Sequence, residues 1–158
     1  MDNLLTINKL TKHFPIKTGL LSKITSKVHA LTEISFDLKE GGTIGVVGES
    51  GCGKSTLGRT VLRLIEPDSG RIIFKGQDIT GIAQDKMRSL RRNMQIIFQD
   101  PYSSLNPRMK VAKIIAEPLE VHRIARGKEK EDMVRELMEL VGLSDSMKNK
   151  YPHEFSGG

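Results

Sequence analysis

The stretch that most constrains this chain is Gly48-Glu49-Ser50-Gly51-Cys52-Gly53-Lys54-Ser55-Thr56. It fits the pattern G-x-x-x-x-G-K-[ST]. The apolar run Thr43–Val47 precedes it and predicts a buried parallel strand. The residues that follow, Thr56 to Ile65, predict a helix. Strand, glycine loop and helix together form a phosphate cradle. Gly48, Gly51 and Gly53 let the backbone approach an anion and aim its N–H groups inward. The helix start adds free N–H groups and the positive end of a dipole. Lys54 supplies a point charge for β- and γ-phosphates, and the Ser55 hydroxyl is a Mg²⁺ ligand by type and position. This stretch alone specifies an NTP-binding protein without saying what the NTP is used for.

The 158 residues suffice for one domain. No run of eighteen apolar residues is present to span a bilayer. Met1-Asp2-Asn3-Leu4 does not lead into a long apolar stretch, so no signal peptide is expected. Cys52 is the one cysteine, so no internal disulfide forms and a cytosolic chain is expected. The net charge of +6 suits nucleic acid, an anionic membrane surface, or neither. With 4% aromatic residues there are few platforms for stacking bases, and no nucleic-acid partner is expected. The basic residues read as scattered over a solvated surface, with acidic lipid as the second reading.

In chain order, residues 3–14 predict a strand, Pro15 to Ser26 a loop or insertion, and Val28 to Leu38 a second strand. Glu66-Pro67-Asp68-Ser69-Gly70 is a turn signal, Arg71–Lys75 a strand, and Ala83 to Arg92 a short helix. Met94–Phe98 reads as a second buried strand. From Gln99 the pattern turns to loop and helices. Met133, Leu137, Leu140 and Val141 are expected to share a buried helix face, with Gly142 as the C-cap.

Two further motifs join the phosphate loop: Phe98-Gln99-Asp100-Pro101 and Phe155-Ser156-Gly157-Gly158. With that loop and its spacing, the chain resembles an ABC-type ATPase over essentially its whole length. Phe98–Pro101 is similar to the family's Q-loop. Phe155–Gly158 is similar to its signature, usually Leu-Ser-Gly-Gly-Gln, with Phe in place of Leu. The run 98–107 and the insertion between Phe14 and Val28 resemble the ATP-binding subunits of bacterial oligopeptide, dipeptide and nickel importers.

The resemblance implies an α/β fold. It is a P-loop NTPase of ABC type, with a partial RecA-like core and an antiparallel β subdomain over 1–98, then a helical subdomain over 99–158. It also implies ATP and Mg²⁺ as ligands. Phe14 is expected to stack on adenine, with packing inside its own hairpin as the other reading. Gln99 is expected to contact Mg²⁺ or the attacking water, alongside Lys54 at the phosphates. Ser156, Gly157 and Gly158 would face the γ-phosphate held by a second ABC subunit, identical or different. Gln99–Pro107 would meet a membrane permease, placing the protein peripherally on the cytoplasmic side of the bacterial inner membrane.

The family's later apolar strand ending in Asp-Glu has no counterpart here, and His122 and His153 precede the signature. The chain is therefore expected to be an N-terminal portion, inactive in hydrolysis alone and exposing apolar surface where neighbouring strands are missing. The other readings are a nucleotide-binding module without activity and a soluble ABC ATPase outside transport.

Overall fold

The computed structural model describes residues 3–18, 23–100 and 104–155. These fall into two compact units, Met1–Arg88 and Ser89–Gly158. The first is built on β1 (Asn3–Thr18), β2 (Lys23–Lys39), β3 (Ser69–Phe74) and β4 (Gln77–Asp78). They form one antiparallel sheet in the order β2-β1-β3-β4.

Alternation places Leu5 and Ile7 of β1 in the core, but the next buried residue is Leu10, not residue 9. The register explains the extra step. Ile7 pairs with Phe36 and Leu10 with Ile34, three residues against two. The bulge places Lys9 in the left-handed region at φ 47°, and its N–H donates to Ser35 Oγ at 2.8 Å. A compensating bulge on β2 puts Glu33 at φ 50°, its N–H on Thr11 Oγ1. Gly70, the second residue of β3, lies over this irregular stretch. A Cβ there would lie 2.4 Å from the Lys9 carbonyl oxygen and 2.6 Å from Leu10 Cα, so only glycine fits.

The loop predicted from Pro15 to Ser26 is overturned at both of its ends, while residues 19–22 lie outside the described residues. Residues 15–18 continue β1 and 23–26 begin β2, with Pro15 opposite Lys27. Proline is tolerated because β3 pairs with β1 only from Leu5 to Thr11. Beyond that point, among the described residues, β1 has a free edge on which a missing N–H costs nothing.

The α1 helix (Lys54–Val61) buries Leu57 and Thr60. Its C-terminus closes with Arg63 in the left-handed region, Arg63 N–H on the Thr60 carbonyl and Leu64 N–H on that of Arg59. The Arg63 side chain is buried. Its Nη1 donates to the Ile79 and Ile82 carbonyls at 2.9 and 2.8 Å, and Nη2 pairs with Glu66 at 2.9 Å. This ties the end of α1 to the segment between β4 and α2 (Gln84–Leu90).

Two predicted strands are absent. Thr43–Val47 and Met94–Phe98 carry no strand structure, and Val47 and Ile97 are 93% and 91% exposed. A buried parallel strand needs hydrogen-bonded neighbours on both sides, and the described residues supply none. The exposed apolar surface expected from the sequence is located here.

The second unit packs α3 (Val111–Val121) on α4 (Gly127–Leu140) through Ala116, Leu119, Val134 and Met138. The predicted face of α4 is offset. Leu137, Leu140 and Val141 are exposed, while Val134 and Met138, four apart, face α3 with Met133 alongside. The small Ala112 and Ala116 of α3 sit against this face, which lets the helices approach there. Gly142 ends α4 as expected at φ 76°, with its N–H on the Glu139 carbonyl and Leu143 N–H on that of Met138.

Candidate nucleotide site

The loop Gly48–Gly53 leads directly into α1, whose N-cap is Gly53 at φ 83°. Gly51 shares this left-handed geometry at φ 82° but lies in open space. Gly53 does not. A Cβ on it would lie 2.1 Å from the carbonyl oxygen of Ala30 in β2. Ala30 is itself the extra residue of a bulge, since Lys12 pairs with Leu31 and His13 with His29. The bulge presses the strand backbone onto the last turn of the loop and fixes where α1 begins.

Within the loop, Cys52 N–H bonds the Glu49 carbonyl at 3.3 Å. Lys54 curls back, its Nζ donating to the carbonyls of Gly48 and Glu49 at 2.8 and 3.0 Å and lying 3.9 Å from Cys52 Sγ. Its ammonium thus sits among backbone dipoles of the loop. Glu49, Ser50, Cys52, Lys54 and Ser55 are exposed, and Thr56 is half-buried. A hard oxygen donor, Ser55, therefore stands one residue beyond this cation at the open end of α1.

Phe14 is opposite Val28, two residues along β2 from Ala30, and is 36% exposed. The Lys12 ammonium lies 5.6 Å from its ring centroid. Lys12 also pairs with Asp68 at 2.9 Å, and Asp68 accepts the His13 N–H at 2.7 Å. The Lys12 bond first and the His13 N–H second hold the Asp68 carboxyl below its ordinary value. Ala30 and Asp68 were not singled out from sequence. An alanine carries no signal, and Asp68 reads only as part of a turn.

Gln99 is exposed and lies in the second unit, outside the unit that carries the loop. Pro101, Tyr102, Ser103 and the signature residues Ser156, Gly157 and Gly158 lie outside the described residues. Phe14 and Gly48–Thr56 thus fall within one unit, and the contact that joins β2 to the loop is that of Gly53 with Ala30. Among the described residues no group of three His, Cys, Asp or Glu is placed to hold a metal.

A glycine loop opening a helix beside an antiparallel sheet defines a P-loop NTPase domain of the ATP-binding cassette class. The sequence pattern of that class, described as ABC transporter, matches residues 31–158. The chain belongs to the ABC transporter family. It is 48% identical over 158 residues to the oligopeptide transport ATP-binding protein AppF of Bacillus subtilis, covering 99% of this chain and 48% of that protein. It is 46% identical to a probable peptide ABC transporter ATP-binding protein of Sinorhizobium fredii, covering 99% of this chain and 44% of that one. The glutathione import ATP-binding protein GsiA of Escherichia coli K12 is 49% identical, over 99% of this chain and 25% of its own length. The chain thus spans about half the length of the first two relatives.

Among solved structures, the ATP-binding cassette MJ0796 in a dimeric post-hydrolysis state with ADP and Pi superposes with a TM-score of 0.76. The match has 23% identity and covers 96% of this chain and 63% of that one. CbiO1 of Clostridium perfringens, part of the cbiONQ complex, gives a TM-score of 0.69 at 25% identity, over 99% and 57%. The fold is that of an ABC-type P-loop ATPase. No helix among the described residues is long and apolar enough to cross a membrane.

Proposed function

We propose that this chain is the nucleotide-binding portion of the energy-coupling ATPase subunit of a bacterial importer for oligopeptides or related small peptides. The observation that carries the reading is the loop Gly48–Thr56. It opens α1, is wedged by Gly53 against Ala30, and has the Lys54 ammonium turned into it. ATP phosphates replace the Gly48 and Glu49 carbonyls as partners of Lys54. They accept N–H groups from the loop and the first turn of α1, where the helix dipole favours negative charge. Phe14 offers an aromatic face for adenine. Ser55 and Gln99 are the residues that would hold Mg²⁺, which would supply positive charge to offset that of the phosphates.

The relatives' names support peptide import. On this reading residues 1–98 form the β subdomain and nucleotide core, and 99–158 form a helical subdomain. Gln99–Pro107 meets the permease. Ser156-Gly157-Gly158 faces the nucleotide of a second subunit, and the protein works from the cytoplasmic side of the inner membrane.

The test is a titration with a fluorescent ATP analogue. Lys54→Ala removes a charge-assisted contact and weakens binding by roughly tenfold or more. Equal affinity in the two proteins rules out this site.

A further inference from the structure

The chain has four histidines, and two of them meet. His13 of β1 is directly opposite His29 of β2. Their ring centroids lie 4.1 Å apart, with the planes tilted by 55°. The next pair along is Phe14 with Val28, in unbroken register, so the two imidazoles lie on the face opposite Phe14 and Val28. They therefore stand apart from the aromatic surface assigned above to adenine. Lys12 carries its ammonium toward the Phe14 ring and pairs with Asp68, so the nearest cation in sequence is turned away and neutralised. One atom of the histidine pair is unaccounted for. His13 is half-buried and its Nε2 is shielded from solvent, yet that nitrogen has no hydrogen-bond partner among the described residues. A ring nitrogen taken out of water without a partner is a cost to the fold. A bound ion is one of the few features that explain such an atom.

We propose that His13 and His29 form a two-imidazole site for a divalent transition cation such as Zn²⁺, with His13 Nε2 as one ligand and a ring nitrogen of His29 as the other. Imidazole suits Zn²⁺, Cu²⁺ and Ni²⁺, whereas Mg²⁺ prefers oxygen. Residues directly opposite on antiparallel strands have Cβ atoms roughly 4.5–5.5 Å apart, within reach of a shared ion at about 2.0–2.1 Å from each nitrogen. Water completes the coordination. His29 is exposed, and exposed side chains change rotamer quickly, so a turn of its ring admits the ion to His13. The ion ties β1 to β2 just past the last pairing of β1 with β3, at Thr11. Two strands without a third are weakly held. The tie also falls beside Ala30, whose carbonyl fixes Gly53. This site is distinct from the Mg²⁺ position assigned to Ser55 and does not depend on nucleotide binding.

The test is calorimetric titration of the 158-residue protein with Zn²⁺ alone, in the absence of nucleotide. A single Zn²⁺ binds, and excess Mg²⁺ does not displace it. His29→Gln removes a ligand at an exposed position and weakens binding roughly tenfold or more. His13→Gln does the same, with circular dichroism checking that it folds. The double variant His122→Gln and His153→Gln retains the affinity, and so does protein alkylated at Cys52. Zn²⁺ also raises the unfolding midpoint of the unaltered protein and of these controls, but not that of His29→Gln, since a ligand held only by the folded state stabilises it. Absence of Zn²⁺ binding, undiminished binding in His29→Gln, or loss of binding in either control overturns the proposal.

Discussion

Gly51 and Gly53 have almost the same backbone angles and different reasons to be glycine. Both sit near φ 82°, which costs an L-residue about 1–2 kcal/mol. At Gly51 that is the whole cost, since an added Cβ meets nothing within 4 Å. At Gly53 the Cβ would meet a strand carbonyl at 2.1 Å, and neither partner is a side chain that can turn aside. Gly51→Ala is therefore expected to be about 1 kcal/mol less stable in urea than the parent. Gly53→Ala is expected to lose clearly more, by roughly 2–4 kcal/mol, together with its affinity for a fluorescent ATP analogue. Equal losses at the two positions would show that the contact with Ala30 is not what fixes the start of α1. Sequence makes both glycines legible as parts of one motif. It cannot rank them, because the rank depends on a bulge in a strand that precedes the loop.

At the scale of elements, what sequence misses follows from partners it cannot see. Pro15, with the Gly and Ser residues after it, reads as punctuation, yet residues 15–18 still continue β1 because a free edge accepts proline. The α4 face is offset because Leu137, Leu140 and Val141 match a helical period as well as Val134 and Met138 do. Only the position of α3 chooses between them. The β1 strand is fastened where it runs past the end of β3, by Asp68 accepting from Lys12 Nζ and the His13 N–H. Those bonds depress the Asp68 pKa in the folded state below its ordinary 3.8. A depressed carboxylate contributes stability that is fully present above the unfolded value and is lost as pH falls through the folded one. Unfolding measured from neutral pH down past 3.8 should therefore show an acid-side loss that Asp68→Asn reduces. Asp68 is 41% exposed, so the gain is small and shrinks with added salt. An unchanged acid limb in Asp68→Asn would remove this fastening from the account.

For the whole molecule, the family and the phosphate loop were legible in sequence because the motif is local, a short run whose chemistry is set by its own backbone. Most of β1, β2 and β3 was legible as strands, and their antiparallel pairing only through the family resemblance. The strands Thr43–Val47 and Met94–Phe98 were not, since an apolar run predicts a buried strand only where other strands flank it. Their exposure bears on catalysis. Hydrolysis needs a carboxylate beside the γ-phosphate to orient water. In the unit that carries the loop, four carboxylates are already engaged. Asp37 accepts from Thr6, Glu66 from Arg63, Asp68 from Lys12, and Asp78 from Thr80. The Thr80 bonds hold Asp78 below its ordinary value, which makes it a poor base. Glu49 lies within the loop, where phosphate would repel it. The 158 residues alone are thus expected to bind ATP and to release phosphate no faster than a Lys54→Ala preparation assayed beside them. Phosphate release from purified protein, followed with a coupled dye, checks this. Turnover that depends on Lys54 would mean that a carboxylate among these residues reaches the γ-phosphate after all, with Glu49 and Asp100 the first to replace by amides.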